Sequence, residues 1–196
     1  MKPARTIVHR STPRNVGAVH ATYIQPEPIE WESTWEEAFI QIALPCPAIA
    51  HIQHQPFTLT YVDESGKERK HTPDFLVRLV GGQPLVVEVK TTKFVEQNKV
   101  KFDKSAALML QRQAWYYVIT EQHLNTRRQS LANLWRRYAR VPASAEEVAI
   151  ALQMVRESTA GCTVSQFTER GLAIETLYHL LGRRVLCAGR DLLIFP

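Results

Sequence analysis

Two rhythms of apolar and polar residues run along this chain of 196 residues, and the switch between them divides it. The first thirty residues carry neither rhythm. They are rich in Pro, Thr and Arg and read as an irregular arm. A helical period starts at Ser33: at about 100° per residue, Trp31, Trp35, Ala38, Phe39 and Ile42 gather on one face. Pro45 and Pro47 close that helix, because proline cannot donate to its hydrogen-bond ladder. Three strand-like runs follow at 56–62, 72–80 and 85–91, joined by hairpin-type turns at 63–67 and 81–84. A second helix is predicted over 103–112 and a fourth strand over 115–120. Helix, three strands, helix and strand make a small α/β layer domain with a mixed sheet.

Near Gln122 the pattern becomes mostly helical. Leu131, Leu134, Trp135 and Tyr138 share one face, with Arg136, Arg137 and Arg140 opposite, and Pro142 ends this helix. Ser144 with Glu147 three residues on has the spacing of a capping box, and Val148, Leu152 and Val155 give the next helix its apolar stripe. A short helix from Thr163, a turn at Gly171, a helix over 173–182 and a tail hairpin around Gly189 complete the outline of a winged-helix-like domain. The predicted division is a basic arm at 1–30, an α/β domain at 31–121 and a mainly helical domain at 122–196.

Composition adds bounds. Hydrophobic content of 45% and charged content of 22% are ordinary for a globular protein, and no apolar run approaches the roughly 20 residues that span a membrane. The basic start (Lys2, Arg5, Arg10, Arg14) lacks the apolar stretch of a secretory signal. Cys46, Cys162 and Cys187 are odd in number and widely spaced, which argues for a reducing, cytoplasmic setting. A formal net charge of +5 hints at an anionic partner.

The chemistry concentrates in the run His71-Thr72-Pro73-Asp74-Phe75 and in Glu88-Val89-Lys90. Charges inside apolar strands must pair or hold a metal. Strand alternation puts Val86, Glu88 and Lys90 on one face, and the hairpin centre near Gly82 and Gln83 brings Asp74 across from the segment 88–91. Two carboxylates at short range suit a hard ion such as Mg²⁺, with Mn²⁺ as a substitute. Such an ion polarises a phosphodiester and activates water, while Lys90 can hold that water or neutralise developing charge. The competing structural reading pairs Glu88 with Lys90, or Asp74 with Arg78. Glu36 has two readings: it can reach over the sheet edge toward the site, or it can close a capping box with Ser33. Glu37 points to solvent, and Glu32 is a reserve candidate.

The pattern resembles the PD-(D/E)xK nuclease superfamily, and within it the TnsA family of transposon-end endonucleases. The residues that carry the resemblance are Trp31-Glu32-Ser33 with Glu36 and Phe39, Gln55-Pro56, Thr72-Pro73-Asp74-Phe75-Leu76-Val77, and Glu88-Val89-Lys90. It extends over roughly residues 30–120 and, beyond them, rests on architecture alone. The resemblance implies a restriction-endonuclease-like mixed sheet flanked by helices. It also implies metal ligands at Asp74 and Glu88, a catalytic lysine at Lys90 and an acidic helper at Glu36. Some members of that family carry glutamine where this chain has Glu88. Proteins of this type act on double-stranded DNA beside a DDE transposase and an ATP-dependent regulator, nicking the ends of the element. The likeness also gives Gln55 a possible contact with water or phosphate, where the residues alone suggest a turn.

His51, His54 and His71 do not make a zinc site, which wants four ligands, often with closely spaced cysteines; they read as surface or sheet-edge residues. Lys93, Lys99, Lys101 and Lys104 can track a DNA backbone, or form a plain solvated face. The same two readings hold for Arg136, Arg137 and Arg140, with an acidic partner as a further contact. The helix over 173–182 is not notably basic, which favours docking to a protein. The reading drawn from all this is a metal-dependent DNA endonuclease subunit of a bacterial transposase. The rivals are a stand-alone restriction or repair nuclease and a non-catalytic winged-helix regulator.

Overall fold

The computed structural model describes Ala4, residues 15–189 and residues 192–196. They fall into two units: the described residues of Met1–Ala43 with Ala48–Thr126, and of Leu44–Pro47 with Arg127–Pro196. No helix among the described residues is long and apolar enough to cross a membrane.

The first unit is a mixed α/β layer. Strands β1 (Gly17–Val19) and β2 (Ile29–Trp31) pair antiparallel and lead into helix α1 (Thr34–Ala43). The part of the expected irregular arm from Gly17 onward is therefore ordered; two three-residue strands are too short to show a period in sequence. Lys2, Arg5, Arg10 and Arg14 lie outside the described residues. The central sheet holds β3 (Ile49–His54), β6 (Phe75–Leu79), β7 (Pro84–Val89) and β8 (Trp115–Ile119) in the order β3-β6-β7-β8. Only β7 and β8 run parallel, through the crossover helix α2 (Lys99–Gln111), which makes the sheet mixed as expected.

Two strand expectations are corrected. The segment 56–62 contributes only β4 (Leu59–Val62), which pairs with β5 (Glu68–His71) in a separate hairpin. Pro73, unable to donate to a ladder, separates β5 from β6, so 72–80 is not one strand. The strand beside β6 is instead β3, whose sequence IAHIQH is too polar to announce a buried strand. Some of its polar groups find partners in distant segments. The Gln25 amide donates to the Ile52 carbonyl at 3.0 Å and accepts from the Ile52 N–H at 3.0 Å, acting as a one-residue strand on the sheet edge. The Glu30 N–H donates to Nδ1 of His54 at 3.2 Å, with the Glu30 carboxylate 3.4 Å from Nε2. Burial holds His54 below the ordinary histidine range, against the pull of Glu30. His54 and His71 are both 8% exposed, so neither is a surface histidine, although His54 does lie on the edge strand β3, as the sheet-edge reading allowed.

Each face of the sheet packs on a helix. Leu76 and Val86 form a core with Met109 of α2 and with Leu59, backed by Tyr116. On the other face the ring of Phe39 from α1 lies 5.1 Å from that of Phe75. The buried face of α1 carries Glu36, Phe39, Ile40 and Ala43, while Trp35 is 37% exposed. The helix is thus rotated from the stripe predicted around Trp35. Glu37 is half-buried and accepts from Gln41 at 2.9 Å.

The second unit holds α3 (Thr126–Tyr138), α4 (Ala145–Glu157), α5 (Val164–Glu169) and α6 (Ile174–Gly182), then an antiparallel pair β9 (Cys187–Ala188) and β10 (Ile194–Phe195). Arg190 and Asp191, within the expected tail hairpin, lie outside the described residues. Its core joins Ala151 and Val155 of α4, Phe167 of α5, and Leu177, Leu180 and Leu181 of α6, with Trp135 packed against them. Trp135 of the predicted stripe does pack on this core, but the fully buried residue of α3 is Ala132, so the inward face is rotated from the one the large residues implied. Gly182 is required there, because a Cβ would collide with the Trp135 carbonyl. The Ser144 side chain makes no cap; Glu147 bonds the Thr176 hydroxyl and, at 3.4 Å, the Ala173 N–H at the start of α6. The capping box of this unit is Thr163 with Gln166.

The two-sided bond from Gln25 to Ile52 gives the fold its sharpest test. Gln25→Ala leaves a buried donor and acceptor unmatched, which costs about 1–3 kcal/mol. Thermal melting should fall by several degrees, and an unchanged melting temperature would mean that β3 needs no such edge partner.

Candidate active site

Asp74 and Glu88 meet because of strand register. Phe75 pairs with Val87 and Leu76 with Val86, so Asp74, one residue before β6, faces Glu88 near the end of β7. The contact is tight: Oδ2 of Asp74 accepts the Val89 N–H at 2.7 Å. The carbonyl of Asp74 accepts the Gln55 N–H at 2.7 Å. Gln55 takes φ of 39°, a left-handed conformation uncommon for a residue with a side chain. That strained turn ends β3 and holds the Asp74 backbone. Lys90 follows β7 directly, its N–H bonded to the Ile119 carbonyl at 2.9 Å, and its charge acts on Asp74.

Glu36 arrives from α1 and does two things. Its carboxylate accepts from the Ser33 hydroxyl at 2.9 Å and from the Glu32 N–H at 2.8 Å, while its own N–H donates to Ser33 Oγ at 3.2 Å. This is a helix cap, with the amide of Glu32 in place of the expected Ser33 amide. The same carboxylate is only 9% exposed and interacts with Glu88 and Asp74. The two readings of Glu36 are therefore compatible.

Three acids in a partly buried cluster cannot all ionise at ordinary cost. Burial, then the charges of Glu88 and Glu36, push the Asp74 carboxyl well above the usual carboxylate range. Burial raises Glu36 as well, partly offset by its cap bonds. Glu88 moves the other way. Burial works to raise it, but His71 and Lys101 outweigh that and hold it below its ordinary value. Nε2 of His71 lies 3.2 Å from Oε2 of Glu88, and Nζ of Lys101 lies 3.2 Å from Oε1. The cation on Glu88 is thus Lys101 of α2 rather than Lys90. Arg78, the alternative partner for Asp74, is exposed at the far end of β6 opposite Pro84.

His71 and Tyr116 are the site residues that the sequence did not single out for a role. The Tyr116 hydroxyl is 3.3 Å from His71 Nε2. Burial, followed by the charges of Glu88 and Asp74, drives its phenol far above the ordinary range, so it stays neutral. The pairing of Val86 with Tyr116 puts the tyrosine on the same face as Glu88, a register no local pattern reveals across the β7–β8 crossover. His71 had a visible signal, since it lies three residues before Asp74 at the end of a strand.

The remaining basic candidates spread out. Lys93 lies over the Phe94 ring, Lys99 pairs with Asp103 at 3.3 Å, and Lys104 is exposed on α2. In the second unit Arg137 and Arg140 are exposed, whereas Arg136 is half-buried, 3.5 Å from the Asn133 side chain.

A facing pair of carboxylates fits a hard divalent ion, which commonly takes one or two protein carboxylates and fills its remaining positions with water and phosphate. Oε2 of Glu88, buried and with no hydrogen-bond partner of good geometry among the described residues, is a donor suited to such an ion. No group of three or more His, Cys, Asp or Glu side chains among the described residues forms a preassembled cage. The three free cysteines take no part.

A mixed sheet flanked by helices, with an Asp–Glu pair across two central strands, is the layout of a restriction-endonuclease-like domain. Residues 46–121 match the family model described as TnsA-like endonuclease N terminal, which supports a TnsA-like nuclease domain over that segment. No curated protein matches the chain.

The acid cluster makes a prediction about stability. A carboxyl whose folded pKa is raised weakens the fold as pH climbs from its unfolded value, near 3.8, toward the folded one. With metal chelated at neutral pH, Asp74→Asn keeps an oxygen for the Val89 N–H and removes the charge. Its melting temperature should exceed wild type by about 2–4 °C for each kcal/mol relieved. The gain should shrink below pH 4, where the wild-type carboxyl is protonated in both states. A lower melting temperature at neutral pH would show that the three acids do not repel.

Proposed function

We propose that this protein is a Mg²⁺-dependent DNA endonuclease subunit of a heteromeric TnsA-like transposase, cutting phosphodiester bonds at transposon ends. The observation that carries the reading is the Asp74–Glu88 pair with Lys90 beside it, inside the segment that matches the TnsA-like endonuclease model. Asp74 and Glu88 would hold the metal, and Glu36, fixed by its cap, would assist from the edge of the cluster. A bound divalent ion supplies polarisation of the phosphate and a water of lowered pKa. Lys90 would orient the attacking water or donate to a phosphate oxygen whose charge develops in the transition state. The Gln55 turn keeps Asp74 in register while DNA is engaged.

The partners belong to the same reading. Double-stranded DNA at the element's ends is the substrate, approached along Lys93, Lys99, Lys101 and Lys104. A DDE transposase subunit and an ATP-dependent regulator complete the machine, in the cytoplasm of a bacterium. Four helices followed by a short antiparallel pair support a winged-helix-like role for the second unit. The acidic Glu175 and the half-buried His179 on α6 favour protein docking over base readout there.

With Mg²⁺ and the partner transposase present, Asp74→Ala and Lys90→Ala should each lower strand cleavage of transposon-end DNA by at least ~100-fold. Circular dichroism of both variants should remain native. Wild-type cleavage by either variant would remove the residue from the reaction.

A further inference from the structure

The ammonium of Lys101 occupies a place that a metal ion would want. It comes from α2, thirteen positions along the chain, yet lies 3.2 Å from Oε1 of Glu88, whose side chain is 5% exposed. The Lys101 side chain itself is 22% exposed and passes over the Phe102 ring at 4.6 Å. Lys93, Lys99 and Lys104, the neighbouring lysines, are exposed, and none is placed on Glu88. A carboxylate this buried is costly without positive charge beside it, and Lys101 at Oε1 shares that task with His71, whose Nε2 lies 3.2 Å from Oε2. With Asp74 and Glu36 also present, the cluster needs positive charge before any metal arrives. A divalent ion on the Glu88 carboxylate and an ammonium at hydrogen-bond distance from its Oε1 repel each other in a site this buried.

We propose that Lys101 is an internal stand-in cation: it neutralises Glu88 while the site lacks metal, competes with the divalent ion for that carboxylate, and is released by metal binding to meet a DNA phosphate. The inference rests on the metal-nuclease reading of the same site. Lysine suits the task because its compact charge sits on a long flexible stem, and it can swing toward solvent without moving α2. The exchange also couples the two ligands. A phosphate that takes Lys101 frees Glu88 for metal, and metal on Glu88 frees Lys101 for phosphate, so each favours the other. The site is thereby held to weak metal affinity until DNA is present. Lys101 acts here as a positioning residue, through Glu88.

The test is calorimetric titration of Mn²⁺ into the full chain without DNA. Lys101→Met keeps the stem and removes the charge, and Lys101→Gln serves if Met disturbs the helix. Lys101→Arg retains the cation, and Lys104→Met removes one charge from the same helix without touching Glu88. Neutral substitution at Lys101 should tighten Mn²⁺ binding about three- to ten-fold, with the Arg variant and Lys104→Met close to wild type. Equal or weaker binding in both neutral variants, with wild type still binding, would overturn the stand-in role and leave the metal site intact. An equal gain in Lys104→Met would reduce the effect to net charge and also overturn it. Absence of Mn²⁺ binding in every protein would instead contradict the metal-nuclease reading on which the proposal stands.

Discussion

The antiparallel pairing of β6 with β7 is the constraint on which the rest of this molecule turns. Phe75 opposite Val87 leaves no choice about Asp74 and Glu88: they face each other at the end of two apolar strands. Once that register is set, a one-residue slip would swing every side chain to the opposite face and bury the wrong residues. Phe75, Val77, Val86 and Val87 are all essentially fully buried, so the hydrophobic core enforces the position of the acids. Packing energy is thus what holds two mutually repelling carboxyls together.

The repulsion shapes what surrounds the pair. Lys101 and His71 approach Glu88 from two other elements, Lys90 acts on Asp74, and the backbone of Val89 donates to its carboxyl. The result is asymmetric. Glu88 is held ionised and Asp74 is driven toward its protonated form, although the two face each other across neighbouring strands. Environments that push two neighbouring carboxyls apart in this way are characteristic of functional sites, where a charge is kept at a cost until a ligand uses it. Glu36 adds a third acid while securing the start of α1, tying the integrity of a helix to the chemistry beside it.

What could be read from the sequence was local. The 81–84 turn sets the β6–β7 register over a short loop, so the facing of Asp74 and Glu88 was legible in the order of residues alone. The mixed character of the sheet followed from the α2 crossover. Long-range partners were not legible. β3 is held by Gln25 on the Ile52 main chain and by the Glu30 N–H on His54, both from distant segments, and a period-two reading of its polar sequence sees only a weak strand. Glu36 was legible as a residue able to reach the site, but the rotation of α1 was not: Phe39 packs on Phe75 and leaves Trp35 37% exposed, whereas a wheel centred on the bulky Trp35 turns that residue inward. Lys101 looked like one more lysine in a basic run. Only the fold of α2 over β7 and β8 distinguishes it from Lys99 and Lys104. Ser144 and Glu147 had capping spacing, but a tertiary bond to α6 claimed the carboxylate.

The central claim is that the core packs Asp74 and Glu88 together to bind a divalent ion. A crystal soaked in Mn²⁺, with data collected at the manganese edge, tests it most directly. The account predicts an anomalous peak within coordination distance of both carboxylates, with the Lys101 ammonium moved off Glu88. A saturated crystal with no peak there, and Lys101 still on Glu88, would contradict it.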